Sequence, residues 1–271
     1  MNEKVSCQIV GLVRFSFVTT GEFYPGFSTP KDLSAFLFKE GRLKRRFRLF
    51  EKICLPSLAA QTDQNFTCIF LTSEDLPEHW RARLDAALAP YPWARVVSTK
   101  PGQHYPTITN AFDTVEPDGS THRVTFRLDD DDAFDLGHIA RLRDQAERYL
   151  PVHGPDLPLA LAYNRGIYVT MNKGEDNEIF DAIERAPLSV GAALVMRAGE
   201  RENVYRQNHR ALPAFYNCCS DANEWVFLRT IHQDNKSSPH FSGEAGKLSL
   251  DTLGPILSER FGFDPEMLLR L

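Results

Sequence analysis

The sequence has few cysteines, no long apolar run and no glycine-rich loop behind its first strand, and each absence narrows the field. Its five cysteines, Cys7, Cys54, Cys68 and the adjacent Cys218 and Cys219, contain no CxxC pair. That argues against a structural zinc site and against a secreted disulfide framework. No stretch approaches the ~20 apolar residues of a membrane span. The opening MNEKVSCQIVGLVRFSF sets Glu3 beside Lys4 and breaks its apolar run at Arg14, so it makes a poor signal peptide. A soluble, cytoplasmic protein with reduced thiols is expected. Basic residues (31) are fewer than acidic ones (36), a net charge of −5 that gives no electrostatic reason to expect nucleic acid. With 42% hydrophobic and 25% charged residues, the 271-residue chain has ordinary globular composition.

Hydrophobic patterning gives the order of elements. Residues 5–13 form a near-continuous apolar run suited to a central strand, and a Gly/Pro/Phe-rich loop follows over 19–34. Phe47, Phe50, Cys54 and Leu58 recur at helical spacing within 43–60, where Pro56 predicts a kink or a stop. Strands are expected at 66–71, 93–97 and 122–128, with helices from Pro77 to Leu88, near 106–114, and after Asp135 as a cap. This alternation predicts an α/β protein with a mostly parallel central sheet flanked by helices. After Pro158 the rhythm changes to LALAY, GIYVT and AALVM strands, with helices expected near 221–231 and 250–261. One domain over 1–271 is the simplest organisation.

Four consecutive carboxylates, Asp129 to Asp132 in RLDDDDAF, sit at the end of the expected strand 122–128. Ligands of open parallel sheets bind beyond the carboxyl ends of the strands. Adjacent carboxylates raise one another's pKa unless a cation neutralises them. Mg²⁺ or Mn²⁺, which takes one or two carboxylates and completes its shell with water and phosphate oxygens, suits that position. The plain alternative is a solvated turn at a helix N-terminus. A calcium EF-hand is excluded, because counting from Asp129 puts Phe134 where Gly is needed and Ala140 where Glu is needed. A phosphatase with an aspartyl nucleophile would carry its Asp pair after the first strand, which ends at Arg14.

A strand ending in Asp-x-Asp about 130 residues into an α/β chain resembles a GT-A-fold glycosyltransferase. Three blocks, RFRLFEKICLPSLAAQTDQNFTCIFLTSEDLP (46–77), FRLDDDDAF (126–134) and EWVFLRTIHQDNKSS (224–238), together resemble the bacterial rhamnosyltransferase family. The resemblance implies a GT-A-like (Rossmann-like) sheet, with a nucleotide-sugar-binding half over about 1–135 and a more irregular acceptor-side half over about 136–271. It implies a divalent metal, Mn²⁺ or Mg²⁺, bridging a nucleotide diphosphate donor (a dTDP- or UDP-sugar, L-rhamnose by the family) to Asp129 and Asp131, with Asp132 adjacent. Asp130-x-Asp132 is the alternative register, and Asp129 or Asp130 would also face the donor. His232 would be a further metal or diphosphate ligand.

An inverting transferase needs a base for the acceptor hydroxyl, and the resemblance offers Glu224 first and Asp221 second, on a helix where capping is their competing role. On that helix His232 would share a face with Glu224. Arg14, Thr72, Ser73 and Glu74, at the ends of the first two strands, and Arg127 would meet the nucleotide. Trp225 reads as core, and His209 as structural. The acceptor would be a saccharide, lipid-linked or other hydroxyl compound. The basic stretch 42–48 (RLKRRFR) reads first as a solvated helix face; its functional version is phosphate binding or peripheral docking on an anionic membrane. Two other classes stay open. A metal-dependent nucleotidyltransferase would show a Gly-rich basic loop after the first strand, which VRFSFVTTGEF lacks. A non-catalytic nucleotide-sugar-binding module would bind without turnover.

Overall fold

The computed structural model describes residues 4–21, 23–235 and 243–271. Fourteen strands are present among them: β1 (Cys7–Arg14), β2 (Thr19–Thr20), β3 (Thr67–Ser73), β4 (Ala94–Thr99), β5 (Gly102–Gln103), β6 (His122–Asp129), β7 (Ala133–Phe134), β8 (Leu159–Tyr163), β9 (Arg165–Thr170), β10 (Glu178–Ile183), β11 (Ala193–Arg197), β12 (Asn217–Asp221), β13 (Phe227–Ile231) and β14 (Glu244–Ala245). The helices are α1 (Pro30–Leu37), α2 (Glu40–Leu49), α3 (Leu55–Ala59), α4 (Glu78–Leu88), α5 (His104–Phe112), α6 (His138–His153), α7 (Leu212–Phe215), α8 (Leu250–Phe261) and α9 (Pro265–Leu269).

Seven strands form the central sheet in the order β12-β8-β11-β6-β1-β3-β4. All its pairings are parallel except those of β11, which runs against both β6 and β8. The expected mostly parallel α/β sheet is therefore present, and it draws strands from both halves of the chain. Alternation along β1 sends Ile9 and Val13 into one hydrophobic layer and Val10 and Leu12 into the other. The first layer is closed by α2, α3, α4 and α6, the second by α5 and α7. Gly11 lies opposite Phe126 in this register, and a Cβ there would overlap the Phe126 ring. Gly11→Ala is expected to cost about 1–3 kcal/mol, read as a lower urea midpoint with an unchanged slope.

Pro56 does not break the helix over 40–59. The turn Phe50–Cys54 widens to π geometry, with Leu55 N–H bonding Phe50 C=O, and Pro56 enters at the start of α3 where a missing N–H costs little. Asp135 is not the cap of α6: its carboxylate takes Arg141 through two bonds of 2.9 and 2.5 Å.

The helix expected near 221–231 is instead a turn followed by β13. Phe227–Ile231 pairs with β9 on one side and β7 on the other, in a second sheet of order β14-β10-β9-β13-β7. Tertiary pairing of this aromatic and β-branched run overrides its local ambiguity. The sequence expectations also missed β10 and β12. Because β7 follows the aspartates directly, Asp129–Asp132 spans the gap between the two sheets, and β13 brings its C-terminal end against them.

Candidate active site

β1 lies between β3 and β6, so the chain leaves the carboxyl end of the sheet in opposite directions on its two sides. Arg14 and Asp129 are the last register partners of β1 and β6, and both line a cavity of about 810 Å³. Seven arginines and five aspartates line it, an excess of two positive charges. Phe17, Phe23, Tyr24, His104 and Tyr205 add an aromatic wall, on which Phe23 and His104 stack with ring centroids 3.8 Å apart.

Each aspartate has a different environment. Asp129 Oδ1 accepts from Arg14 Nη2 at 2.6 Å, and Arg14 Nη1 lies 3.2 Å from His104 Nε2. Burial alone would raise the Asp129 carboxyl, but Arg14 and Arg127 outweigh it and hold it well below the usual range. Arg46 grips both Asp130 and Asp131, with bonds of 3.1 Å to Asp130 Oδ2 and 2.7 Å to Asp131 Oδ2. Asp131 Oδ2 also meets His232 Nε2 at 2.8 Å and accepts from Asn235 Nδ2 at 3.2 Å. Against the effect of burial, Arg46 and His232 keep this carboxyl low. Asp132 Oδ1 accepts the Thr230 N–H at 3.0 Å, while the Thr230 hydroxyl donates to Asp131 C=O.

Burial and its neighbour Asp131 push the Asp132 carboxyl well above the usual range. Folding therefore favours its neutral form. That contribution is complete below the unfolded carboxyl pKa of about 4 and is lost as pH rises. Asp132→Asn is accordingly expected to raise the melting temperature at pH 8 by a few degrees, with the gain shrinking towards pH 4. An equal gain at both pH values would show that the Asp132 charge is not its cause.

Four cavity arginines, Arg42, Arg127, Arg206 and Arg229, have no carboxylate bonded to them among the described residues, and Arg42 and Arg127 are the two described next. Arg42, nine-tenths buried, donates from Nη1 to Ser16 Oγ (3.2 Å) and Leu37 C=O (3.0 Å), and its Nε has no partner. Burial, then repulsion from Arg46, pushes its pKa down to about 10. The Arg127 side chain stacks over Tyr205 at 4.6 Å without a hydrogen bond. Burial and Arg14 lower its pKa as well. Guanidinium groups without a bonded carboxylate on a cavity wall are poised for an anion.

Of the residues singled out from the sequence, Arg14, Arg127, Asp129–Asp132 and His209, which read as structural, line the cavity, and His232 reaches Asp131 without itself lining it. The site candidates Thr72, Ser73, Glu74, Asp221 and Glu224 are not brought there. Ser73 is buried, with its Oγ accepting the Val18 N–H at 2.9 Å, and exposed Glu74 bonds Thr99 C=O through its backbone. Asp221 accepts the N–H groups of Asn223 and Glu224, a turn cap, while Glu224 is ion-paired to Arg260. Without the expected helix, Glu224 and His232 share no face. Thr72 is wholly buried, and Trp225 packs in the core as expected.

The basic stretch 42–48 is not a free cationic face. Arg42 and Arg46 turn into the cavity, and Arg45 takes Asp234 through bonds of 2.6 and 3.0 Å. The spacing of four between Arg42 and Arg46 was the signal that both share one side of α2. Phe23, Tyr24, His104 and the 205–210 segment carry no sequence pattern that marks them.

A family model described as "Putative rhamnosyl transferase" matches residues 8–244. The chain belongs to that family. The resemblance drawn from 46–77, 126–134 and 224–238 is thus borne out. No curated protein matches it. Among solved structures, S. aureus TarS 1-349 is 11% identical over 82% of this chain and 60% of that one, with a TM-score of 0.43. The same TarS fragment in complex with UDP is 9% identical over 83% and 60%, TM-score 0.41. A structure described as a putative nucleotide-diphospho-sugar transferase from Desulfovibrio desulfuricans G20 is 12% identical over 98% and 94%, TM-score 0.33. The chain spans about 60% of the length of the TarS fragment. Among the described residues, no helix is long and apolar enough to cross a membrane.

Proposed function

We propose that the cavity binds a nucleoside diphosphate sugar and that the protein transfers the sugar to an acceptor hydroxyl with inversion. The observation that carries this reading is the pair Arg42 and Arg127, two guanidinium groups without a bonded carboxylate in a cavity with an excess of two positive charges. A diphosphate supplies matching negative charge, and the aromatic wall beside Arg14 offers stacking surface for a nucleobase. L-rhamnose on a dTDP or UDP carrier is the donor that the family suggests.

As the glycosidic bond breaks, negative charge grows on the leaving diphosphate. Arg42 and Arg127, fixed before reaction by Ser16, Leu37 and Tyr205, would stabilise it without reorganisation. Asp129 holds Arg14 in place at the same wall.

Asp131 and His232 converge closely enough to share a cation, which favours the Asp129-x-Asp131 register over Asp130-x-Asp132. Among the described residues, no group of three or more His, Cys, Asp or Glu is arranged to hold a metal alone. Asp131 and His232 would give an ion two ligands, with the donor phosphates completing its shell. When bound there, Mg²⁺ or Mn²⁺ would add Lewis-acid neutralisation of the leaving diphosphate.

A thermal-shift screen of nucleoside diphosphate sugars with and without Mn²⁺ tests the reading. Stabilisation by at least one donor is expected, reaching about 2.7 kcal/mol at a ligand concentration one hundred times Kd. Indifference to every donor, with or without the ion, would overturn it.

A further inference from the structure

The donor reading leaves the acceptor's proton without a destination, since Glu224 and Asp221 lie outside the cavity. Nearly every candidate base on the cavity wall is engaged. Asp129 is bonded to Arg14, Asp130 and Asp131 to Arg46, and Asp234 to Arg45. His104 contacts Arg14 and stacks on Phe23. Asp132 is 3% exposed, and its Oδ1 accepts the Thr230 N–H. His209 differs from all of these. It lines the cavity from a 3₁₀ turn (His209–Ala211) whose first residues are fixed by Asn208 Oδ1 accepting the Arg210 N–H at 2.9 Å. Its ring makes no hydrogen bond among the described residues, and it is only part-buried.

We propose that His209 is the general base of the transfer, an assignment that rests on the donor reading above. The acceptor oxygen attacks the anomeric carbon and its O–H bond breaks, the proton passing to a ring nitrogen of His209. The bond between the anomeric carbon and the phosphate oxygen breaks, and its electron pair leaves with the nucleoside diphosphate. No other reactant is required.

The charged groups facing His209 make it dependent on the donor. Arg127 on β6, Arg210 on its own turn and Arg229 on β13 disfavour its charged form, and the Asp129 carboxylate acts against them. Burial, then these cations, holds its pKa down to about 3. The free protein thus keeps the ring neutral but a weak proton acceptor. A bound diphosphate neutralises the arginines and raises the pKa, which strengthens the base once the donor is in place.

The test uses the full chain and two readouts. Binding of UDP, dTDP, GDP and CDP is measured by calorimetry, and the His209 ring signals, identified by their loss in His209→Gln, are titrated by NMR with and without the diphosphate that binds. The ring is expected to stay neutral down to about pH 4 alone and to gain about one pKa unit or more with the diphosphate. His209→Gln and His209→Asn should lower nucleotide-sugar turnover about 100-fold or more, while diphosphate affinity stays within about threefold and the melting temperature is retained.

A ring pKa that does not move with diphosphate bound overturns the assignment, and so does turnover within about threefold of wild type in both variants. Loss of turnover in Asp132→Asn alone would pass the role to Asp132. Failure of the wild type to bind any of the four diphosphates defeats the donor reading, and His209 falls with it.

Discussion

Arg46→Ala is expected to lose about 3–5 kcal/mol of stability, the cost of stripping the partner from a buried ion pair. Arg46 is 9% exposed at its side chain, and the Asp130 and Asp131 side chains it holds are 1% and 5% exposed. Removing the guanidinium leaves two adjacent carboxylates inside the protein, with Asp129 and Asp132 on either side. Hydrophobic packing cannot offset this, because the charges stay buried while their compensation goes. For a chain of this length the melting temperature should fall by on the order of 10 °C. Millimolar Mg²⁺ should restore part of the loss by binding the freed oxygens only in the folded state. A melting temperature within about 2 °C of wild type would mean that Arg46 does not hold these carboxylates.

Asp131→Ala is expected to have the largest effect on turnover, a loss of about 100- to 1,000-fold, the scale seen when one preorganised electrostatic contact is removed. A single oxygen, Asp131 Oδ2, orients Arg46 on α2 and His232 and Asn235 just after β13, side chains from two distant parts of the chain. Without it these groups lose their common anchor at the cavity floor. Release of nucleoside diphosphate from a nucleotide sugar, followed with and without Mn²⁺, measures the effect. Turnover that keeps both its rate and its response to the ion would exclude Asp131 from the reaction.

Much of the first sheet was legible because its strands are continuous apolar runs and its helices carry clean stripes. The aspartate run was legible for a related reason. Its place at the end of β6 followed from the alternation of Val124, Phe126 and Leu128 against Arg123, Thr125 and Arg127. The 221–231 segment misled because EWVFLRTI can bury its apolar residues in either a helix or a strand. Only the partners β7 and β9, distant in sequence, decide between them.

That misassignment moved Glu224 and His232 onto one face and made Glu224 a base on the strength of a helix that does not form. Arg42 and Arg46 were hidden by their own chemistry, since a run of basic residues is usually a solvated face. The burial of Arg46 depends on Asp130 and Asp131 just after β6, 84 and 85 residues further along, and Arg42 is held by Ser16 and Leu37. The segment 205–210 reaches the site only through tertiary packing, in which the Tyr205 hydroxyl donates to Leu12 C=O at 2.7 Å.

That Arg42 and Arg127, neither bonded to a carboxylate, make this cavity a diphosphate site is tested most directly by calorimetry. UDP and dTDP are titrated into the wild type, Arg42→Ala and Arg127→Ala under one salt condition. At least one diphosphate is expected to bind the wild type, and each substitution to weaken it by about 10- to 100-fold, the scale of one charge-assisted bond. Binding that both variants retain in full, or no binding of either diphosphate to the wild type, would contradict the account.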